Sequence, residues 1–441
     1  MSEFISGLRY QGVTIASLDG KKKLDLTNSI LGIHYYEDIL SPCITMTMDI
    51  TNGYSIFNGL PIRGGESVSM EIETGSGTFK LDGEKALYVY KVSGIDAQRK
   101  AENFTLHLVS REGLTNETIR CEKKYKKASV DTHVKDILKN TLKTKKIGTI
   151  EGTSNSYSFI GNNKKPFHTL TWLGPKSISK ITKVTGVSGK NETAQAKGTA
   201  GFLFYENYDG FQFRSIDSLV SNTQLQSKSS NKENIFKYRQ TPIGEITAND
   251  PSNNFKILNY SFDKNIDLMK ALRVGMYSNK TYFFDLYSNT VDIYKYTLKD
   301  EIKNATKLGG ADSIVVSDEF GDSVTRISFR TSDKGVLQSD GTVVESGRDN
   351  ADLAKSFSRY NLLFTQSLNI SIPCNIKLKV GDIIYCEFQR VERANSGEVD
   401  HEQSGNYLIA GLHHQFAPGG SKMITYLKLV RDSYGLYGPN Q

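Results

Sequence analysis

His413 and His414 stand side by side in "YLIAGLHHQF", residues 407–416, and are the first place in this sequence to look for chemistry. Two imidazoles could share a metal, yet neighbours on an extended strand point to opposite faces, which makes a shared ligand awkward. One is expected to pack in a core or interface and the other to meet solvent. Cys43, Cys121, Cys374 and Cys386 are scattered with no Cys-x-x-Cys spacing, which argues against a zinc knuckle or a disulfide framework and predicts reduced, mostly buried thiols. The Gly-Lys step in "VTGVSGKNETAQAKGTAG", 184–201, is no phosphate loop. Asn191 stands where Ser or Thr is needed, Val184 stands where the first Gly belongs, and no strand leads in. Glu37-Asp38 is a carboxylate pair of the kind a glycosidase uses, but a sequence does not state the separation that such a pair needs. Gly-x-Ser-x-Gly, His-Glu-x-x-His and kinase signatures are absent. The expectation is a protein that is not an enzyme, with no catalytic residue, cofactor or metal.

The elements that would position these residues belong to a chain of 441 residues, long enough for about three units of roughly 150. Hydrophobic content of 38% and charged content of 23% describe a globular protein. No apolar run approaches the roughly 18 residues of a membrane span, and "MSEFISGLRY" lacks the basic start and apolar middle of a signal peptide, so a cytosol-like compartment is expected. Charge is uneven: residues 120–190 hold sixteen Lys or Arg against four Asp or Glu, whereas the whole chain is only +7. These lysines are not interleaved with stacking aromatics. The block therefore reads as a solvated or protein-facing surface, not a nucleic-acid site.

A repeat organises the rest. "LHLVSREGL" at 106–114 returns as "YLKLVRDSYGL" at 426–436, "GESVSMEI" at 65–72 as "GDIIYCEF" at 381–388, and "YVYKVSGID" at 88–96 as "YLIAGLHHQF". Each phrase alternates, with Val68, Met70, Ile72, Leu106 and Leu108 of the first copy answering Ile384, Cys386, Phe388, Leu427 and Leu429 of the second. "ITMTMDI" at 44–50 and "FTQSLNISI" at 364–372 precede them in corresponding places, and turn signals such as Asn52-Gly53, Gly64-Gly65, Asp82-Gly83 and Pro418-Gly419-Gly420 punctuate both sets. Each copy is predicted to be an antiparallel β barrel or sandwich. Between the copies, "THVKDILKNTLK" at 132–143 predicts a helix with Val134, Ile137, Leu138 and Leu142 inward and Ser129 or Asp131 as cap. "FLFYENYDGFQFRSIDSL" at 202–219 predicts two alternating strands about Tyr208-Asp209-Gly210. Residues 265–275 predict a short helix with Ile266, Met269 and Leu272 inward and Gly275 as its stop, and 348–364 a helix through Leu353, Phe357 and Tyr360.

These phrases, together with "GLPIRGGESVSMEIET", "LHLVSREGLTNETIRC" and "LRVGMY", resemble the baseplate central hub protein of T-even-like contractile-tailed phages. The likeness runs over most of the chain and extends, more distantly, to the hub part of type VI secretion spike proteins. It implies a mainly β fold with two homologous antiparallel barrel domains of the tail-tube type. The divisions expected are a first tube-type domain at 1–115, an inserted basic α+β domain at 116–250, the start of the second tube-type domain at 251–299, a peripheral insertion at 300–356 and its remainder at 357–441.

The family forms a homotrimer whose six similar domains make a pseudo-sixfold ring, because a threefold spike must mate with a sixfold tube. The resemblance thus implies a structural protein of the virion tail baseplate, assembled in the host cytoplasm. Its partners would be the central spike protein, tail tube or tube-initiator proteins, the tape-measure protein and surrounding wedge proteins, with DNA only in transit and no membrane. A baseplate-associated cell-wall hydrolase is the alternative, although the family keeps its lysozyme on the spike. A lumen that passes DNA should be polar, and the residues alternating with the apolar set are therefore expected to face the channel: Ser67, Ser69, Glu71, Thr105, His107, Glu387, Tyr426 and Lys428.

Overall fold

The computed structural model describes residues 9–52, 60–98, 101–180, 200–221, 235–240, 251–263, 267–286, 288–301, 307–309, 317–332, 335–337, 342–345, 351–390, 399–417 and 423–433. Gly53, most of the polar stretch at 184–201, Ile266, Pro418-Gly419-Gly420 and the end of the second phrase lie outside these residues. The first half contributes β1 (Arg9–Ala16), β2 (Lys23–Asp25), β3 (Ile30–Asp38), β4 (Thr45–Asn52), β5 (Ser67–Thr74), β6 (Gly77–Leu81), β7 (Leu87–Gln98) and β8 (Ala101–Ser110). The middle holds β9 (Lys124–Ser129), β10 (Ile147–Ile150), β11 (Ser156–Ile160), β12 (Phe202–Asn207) and β13 (Gly210–Ser215). Then come β14 (Lys237–Gln240), β15 (Lys256–Ile257), β16 (Asn259–Asp263), β17 (Ser278–Asp285), β18 (Thr290–Thr297), β19 (Arg326–Thr331), β20 (Gly335–Leu337) and β21 (Val343–Glu345). The last four are β22 (Gln366–Pro373), β23 (Ile383–Glu387), β24 (Gly405–Phe416) and β25 (Met423–Arg431).

The protein is mostly β, and its main sheet contains the same path twice. Five strands pair in the order β3-β4-β8-β7-β5 and five more in the order β16-β22-β25-β24-β23, with each repeated phrase on the corresponding strand of its set. The far half of β24 also pairs with β3, which fuses the two sets into one sheet. Among the described residues no strand pair closes either set into a barrel, and β14 joins the second set parallel to β23. The alternating apolar residues of both copies are buried in one hydrophobic cluster. Each such side chain contributes roughly 1.5–3 kcal/mol by leaving water, so a one-residue register slip would expose the whole set.

The central segment has a core of its own. The helix there runs Val130–Asp136 and continues as a π turn over Ile137–Thr141, burying Val134, Ile137, Leu138 and Leu142. Ser129 occupies the cap position, but its hydroxyl meets that of Thr132 at 2.8 Å, while Asp131 accepts the Thr153 amide. The β12–β13 hairpin corrects an expectation. Its strands alternate between two cores and not between core and solvent: all twelve residues are buried, because the hairpin is wedged between the two. Leu203 and Tyr205 enter the main cluster, whereas Phe202, Phe204, Phe211 and Phe213 enter the central one. Residues Ile216–Val220 form a helical turn in place of further strand, capped by the Ser215 side chain.

Two more expectations need correction. The helix after β16 is only Leu268–Arg273, capped by Asp267 and stopped by Gly275 at positive φ; Met269 is 59% exposed because Ala271 and Val274 make the packed side. Strands β17 and β18, expected inside the second tube-type domain, pair instead with β19 in a separate three-stranded sheet. The Ala351–Leu363 helix forms where it was expected, with Tyr360 packed against the main cluster and Leu362 and Leu363 buried; it also encloses Arg359, held by Asp217 at 3.3 Å and Asp432 at 3.2 Å. Most lysines of the basic block are exposed, as water demands. Among the described lysines of the block Lys146 is the buried one, at 9% exposure.

Candidate functional site

A paired turn and bulge set the curvature of the sheet, and both copies have it. Gly65 and Gly381 hold positive φ of 92° and 91°, a backbone that Gly adopts without steric penalty. The Gly65 amide donates to the Val89 carbonyl at 2.7 Å and the Val89 amide donates back to Glu66 at 2.9 Å. The Gly381 amide donates to Ile409 at 3.0 Å, and the Ile409 amide donates back to Asp382 at 2.9 Å. At that same point each long strand carries a β-bulge: the register against β8 shifts between Val89 and Lys91, and against β25 between Ile409 and Gly411. The acid after each glycine closes the turn with its side chain, Glu66 accepting the Arg63 and Gly64 amides and Asp382 accepting the Lys379 amide. Bulges re-aim strands and increase twist, so identical bulges bend both units alike.

The polar sides of β16, β22, β25, β24, β3, β4, β8 and β7 make one face. On it Thr105 donates to Asp49 at 2.6 Å, and His107 lies 2.7 Å from Ser93. Tyr426 stacks on His413, which stacks in turn on Tyr36, with ring centroids 5.1 and 4.5 Å apart. His413 Nε2 and His34 Nδ1 are 2.9 Å apart across the β24–β3 pairing, one imidazole donating to the other. Burial, and then the neighbouring His34, push the His413 pKa down to about 4. Lys428 completes the row beside Gly411 and Asn369. A concavity of about 400 Å³ runs over this face from Tyr260 to Tyr36. His414 faces the other way, buried among Tyr35, Phe79 and Phe416, and its pKa is driven down to about 3 by desolvation and then by His413.

The eight expected channel residues divide between two faces. Thr105, His107, Tyr426 and Lys428 share the eight-strand face. Ser67, Ser69 and Glu71 lie on β5, whose sheet folds over β3 so that Phe79 of β6 meets Tyr35 and Phe416 across the core. Their polar side therefore points away from the eight-strand face, and Glu71 pairs there with Lys80 at 3.0 Å. Glu387 occupies the matching strand of the second copy and pairs with Arg239 at 3.3 Å. Ile383 is buried as well, in the cluster that includes Leu219 of the inserted segment. His34, Tyr36 and Asp49 were missed by sequence reading. Alternation in "ILGIHYYED" holds the signal, since Ile33, Tyr35 and Glu37 point inward.

Glu37 has a structural task. Its carboxylate accepts Tyr35 Oη at 2.7 Å, the Tyr208 amide at 2.7 Å and the Val380 amide at 2.9 Å, tying the hairpin turn and the approach to β23 to β3. Desolvation raises its pKa to about 7 against these three donors. Lys146 is gripped by Glu112 at 2.7 Å and Glu206 at 2.6 Å, joining the first unit to the central segment. Burial opposes its charge, but the two carboxylates, Glu206 foremost, outweigh that and hold its pKa up. Cys121, Cys374 and Cys386 are buried free thiols and Cys43 is half-buried. Among the described residues no group of three His, Cys, Asp or Glu side chains is placed to hold a metal ion, and no helix is long and apolar enough to cross a membrane.

No family model matches the chain. A probable baseplate hub protein, gp334, of Vibrio phage KVP40 is 21% identical over 417 residues, which covers 92% of this chain and 90% of that protein. Over most of its length the chain is similar in sequence to a phage baseplate hub protein. The tail protein from Neisseria meningitidis shares the fold, with a TM-score of 0.52 at 10% identity over 96% of this chain and 97% of that one. The 43 kDa tail protein of prophage MuSo2 from Shewanella oneidensis gives 0.50 at 8% identity, over 96% and 98%. The chain thus carries its doubled strand path in a fold that it shares with these two tail proteins.

Proposed function

We propose that the chain is a structural baseplate hub of a contractile phage tail, a trimer whose six similar units form a pseudo-sixfold ring between the sixfold tail tube and the threefold central spike. The observation that carries this reading is the doubled strand path with its matching bulge, which supplies two nearly equivalent surfaces per chain. Three chains would then present six, the number a tube requires. The first unit would comprise 1–115, the second would draw on β16 and 357–441, and 116–250 would stand outside the ring with its exposed lysines toward solvent or an acidic wedge protein.

The eight-strand face, with Thr105, His107, Tyr426 and Lys428, would line the channel for tape measure and DNA. It mixes Asp49 and Asp38 with Lys91 and Lys428 among hydroxyls and imidazoles, and such a wall would not hold phosphates through many cationic contacts at once. Ser67, Ser69, Glu71 and Glu387 would lie on the ring's far side. Size exclusion with light scattering tests the assembly: the purified chain is expected at three times its 49.2 kDa mass. A monomer that digests cell wall would overturn the proposal in favour of a hydrolase.

A further inference from the structure

We infer that the outer edge of β7 in one copy of this chain pairs antiparallel with the outer edge of β16 in a second copy, in the register that β24 already makes with β3 inside each chain. The inference rests on the ring reading and says which backbone edges close the ring.

The internal junction is the template. Gly411 to Phe416 of β24 pair antiparallel with Asp38 to Ile33 of β3, six residues on each side. In the doubled path β24 corresponds to β7 and β3 to β16. Both corresponding strands are half-finished. β5 reaches β7 only at Tyr88 and Leu87, so from Lys91 to Ile95 the strand has a neighbour on one side only among the described residues. Among the described residues β16 pairs with β22 alone. Unpaired edges with exposed apolar residues attract another strand, and on β7 Ile95 is 61% exposed.

The register follows from counting across the sheet. Gln415 and Asp96 face equivalent positions of their inner neighbours, Ile424 and Asn103. His34 and Ser261 face Thr47 and Asn369, which in turn face His107 and Lys428 at the same place in the two copies. Because Gln415 lies opposite His34, Asp96 must lie opposite Ser261 of the second copy, and by the same count Ser93 opposite Asp263. One residue more is needed in β7, and it is there: Gly94, at φ 65°, and Ile95 together oppose Phe104 in a second bulge. The intermolecular junction lacks the stacked imidazoles of the internal one, since neither 91–96 nor 259–263 contains His. It is the weaker of the two and the one at which assembly is expected to be reversible.

Directly opposed residues on antiparallel strands have Cβ atoms about 4.5–5.5 Å apart, close to the ~3.5–4.5 Å of a disulfide. The full-length Asp96→Cys/Ser261→Cys variant, oxidised with copper phenanthroline, is expected to run as covalent dimers and trimers on non-reducing gels, whereas each single variant and Asp96→Cys/Asn259→Cys stay monomeric. Light scattering on the unmodified chain separates the two ideas. A trimer that fails to cross-link at 96 and 261, or cross-links only at the offset pair, overturns this register and leaves the ring intact. A monomer at every concentration overturns both.

Discussion

Lys146 shows most simply how single residues hold this chain together. Its ammonium is enclosed with two carboxylates at the seam of the first unit and the central segment, so removing it leaves like charges buried and facing each other. Breaking one partner of such a cluster costs about 3–5 kcal/mol, and Lys146→Met is expected to lower the unfolding free energy in urea by that amount. The imidazoles predict a pH response of definite sign. His413 and His414 titrate near 4 and 3 in the folded chain but near 6.5 when unfolded, so the unfolded state binds more protons between these values. Their contribution is complete above pH ~6.5 and is lost as pH falls; for His414 the loss reaches about 2–3 kcal/mol by pH 4.5, at 1.36 kcal/mol per unit. Glu37 acts oppositely, its raised pKa favouring the folded state as pH falls from about 7. The comparison is therefore between slopes: melts of His414→Asn from pH 7.5 to 4.5 should lose less stability than the native chain.

The turn and bulge are the elements that make two units alike, and their glycines differ in a measurable way. A methyl group on Gly381 would come 2.2 Å from the buried Tyr205 hydroxyl, whereas one on Gly65 would meet only the end of the exposed Leu18 side chain. Gly65→Ala is expected to cost the ~1–3 kcal/mol of an αL-type backbone alone, and Gly381→Ala clearly more, as read from urea midpoints. These turns were legible beforehand because a Gly followed by an acid and an alternating strand recurs in both phrases. Alternation also told which side of β5, β8, β23 and β25 is apolar. It did not tell that β12 and β13 are buried on both sides, since that depends on a second core folding back from residues 121–173. Nor did it reveal the His34–His413 contact, whose partners are 379 residues apart and meet only through the junction of β24 with β3. The eight residues expected to face a channel split because period-two patterns distinguish the sides of one strand but not the side of the molecule on which a strand lies.

At the scale of the whole molecule, one chain carries the β24–β3 junction, and the proposed pairing of β7 with β16 of a second copy would repeat it around an axis. A heterologous contact of this kind either closes into a ring or grows without limit, and in the proposed assembly two units per chain would let three chains close where a sixfold tube begins. The strands of the central segment and the β17–β18–β19 sheet lie in sheets of their own and do not interrupt the repeated path. The most direct test is an electron cryomicroscopy reconstruction of the assembled protein. The account predicts a ring of three chains around an open axis, with Thr105, His107, Tyr426 and Lys428 on the lumen wall and Glu71 and Glu387 on the outer side. A ring with Ser67, Ser69 and Glu71 facing the axis, or an assembly with no axial opening, would contradict it.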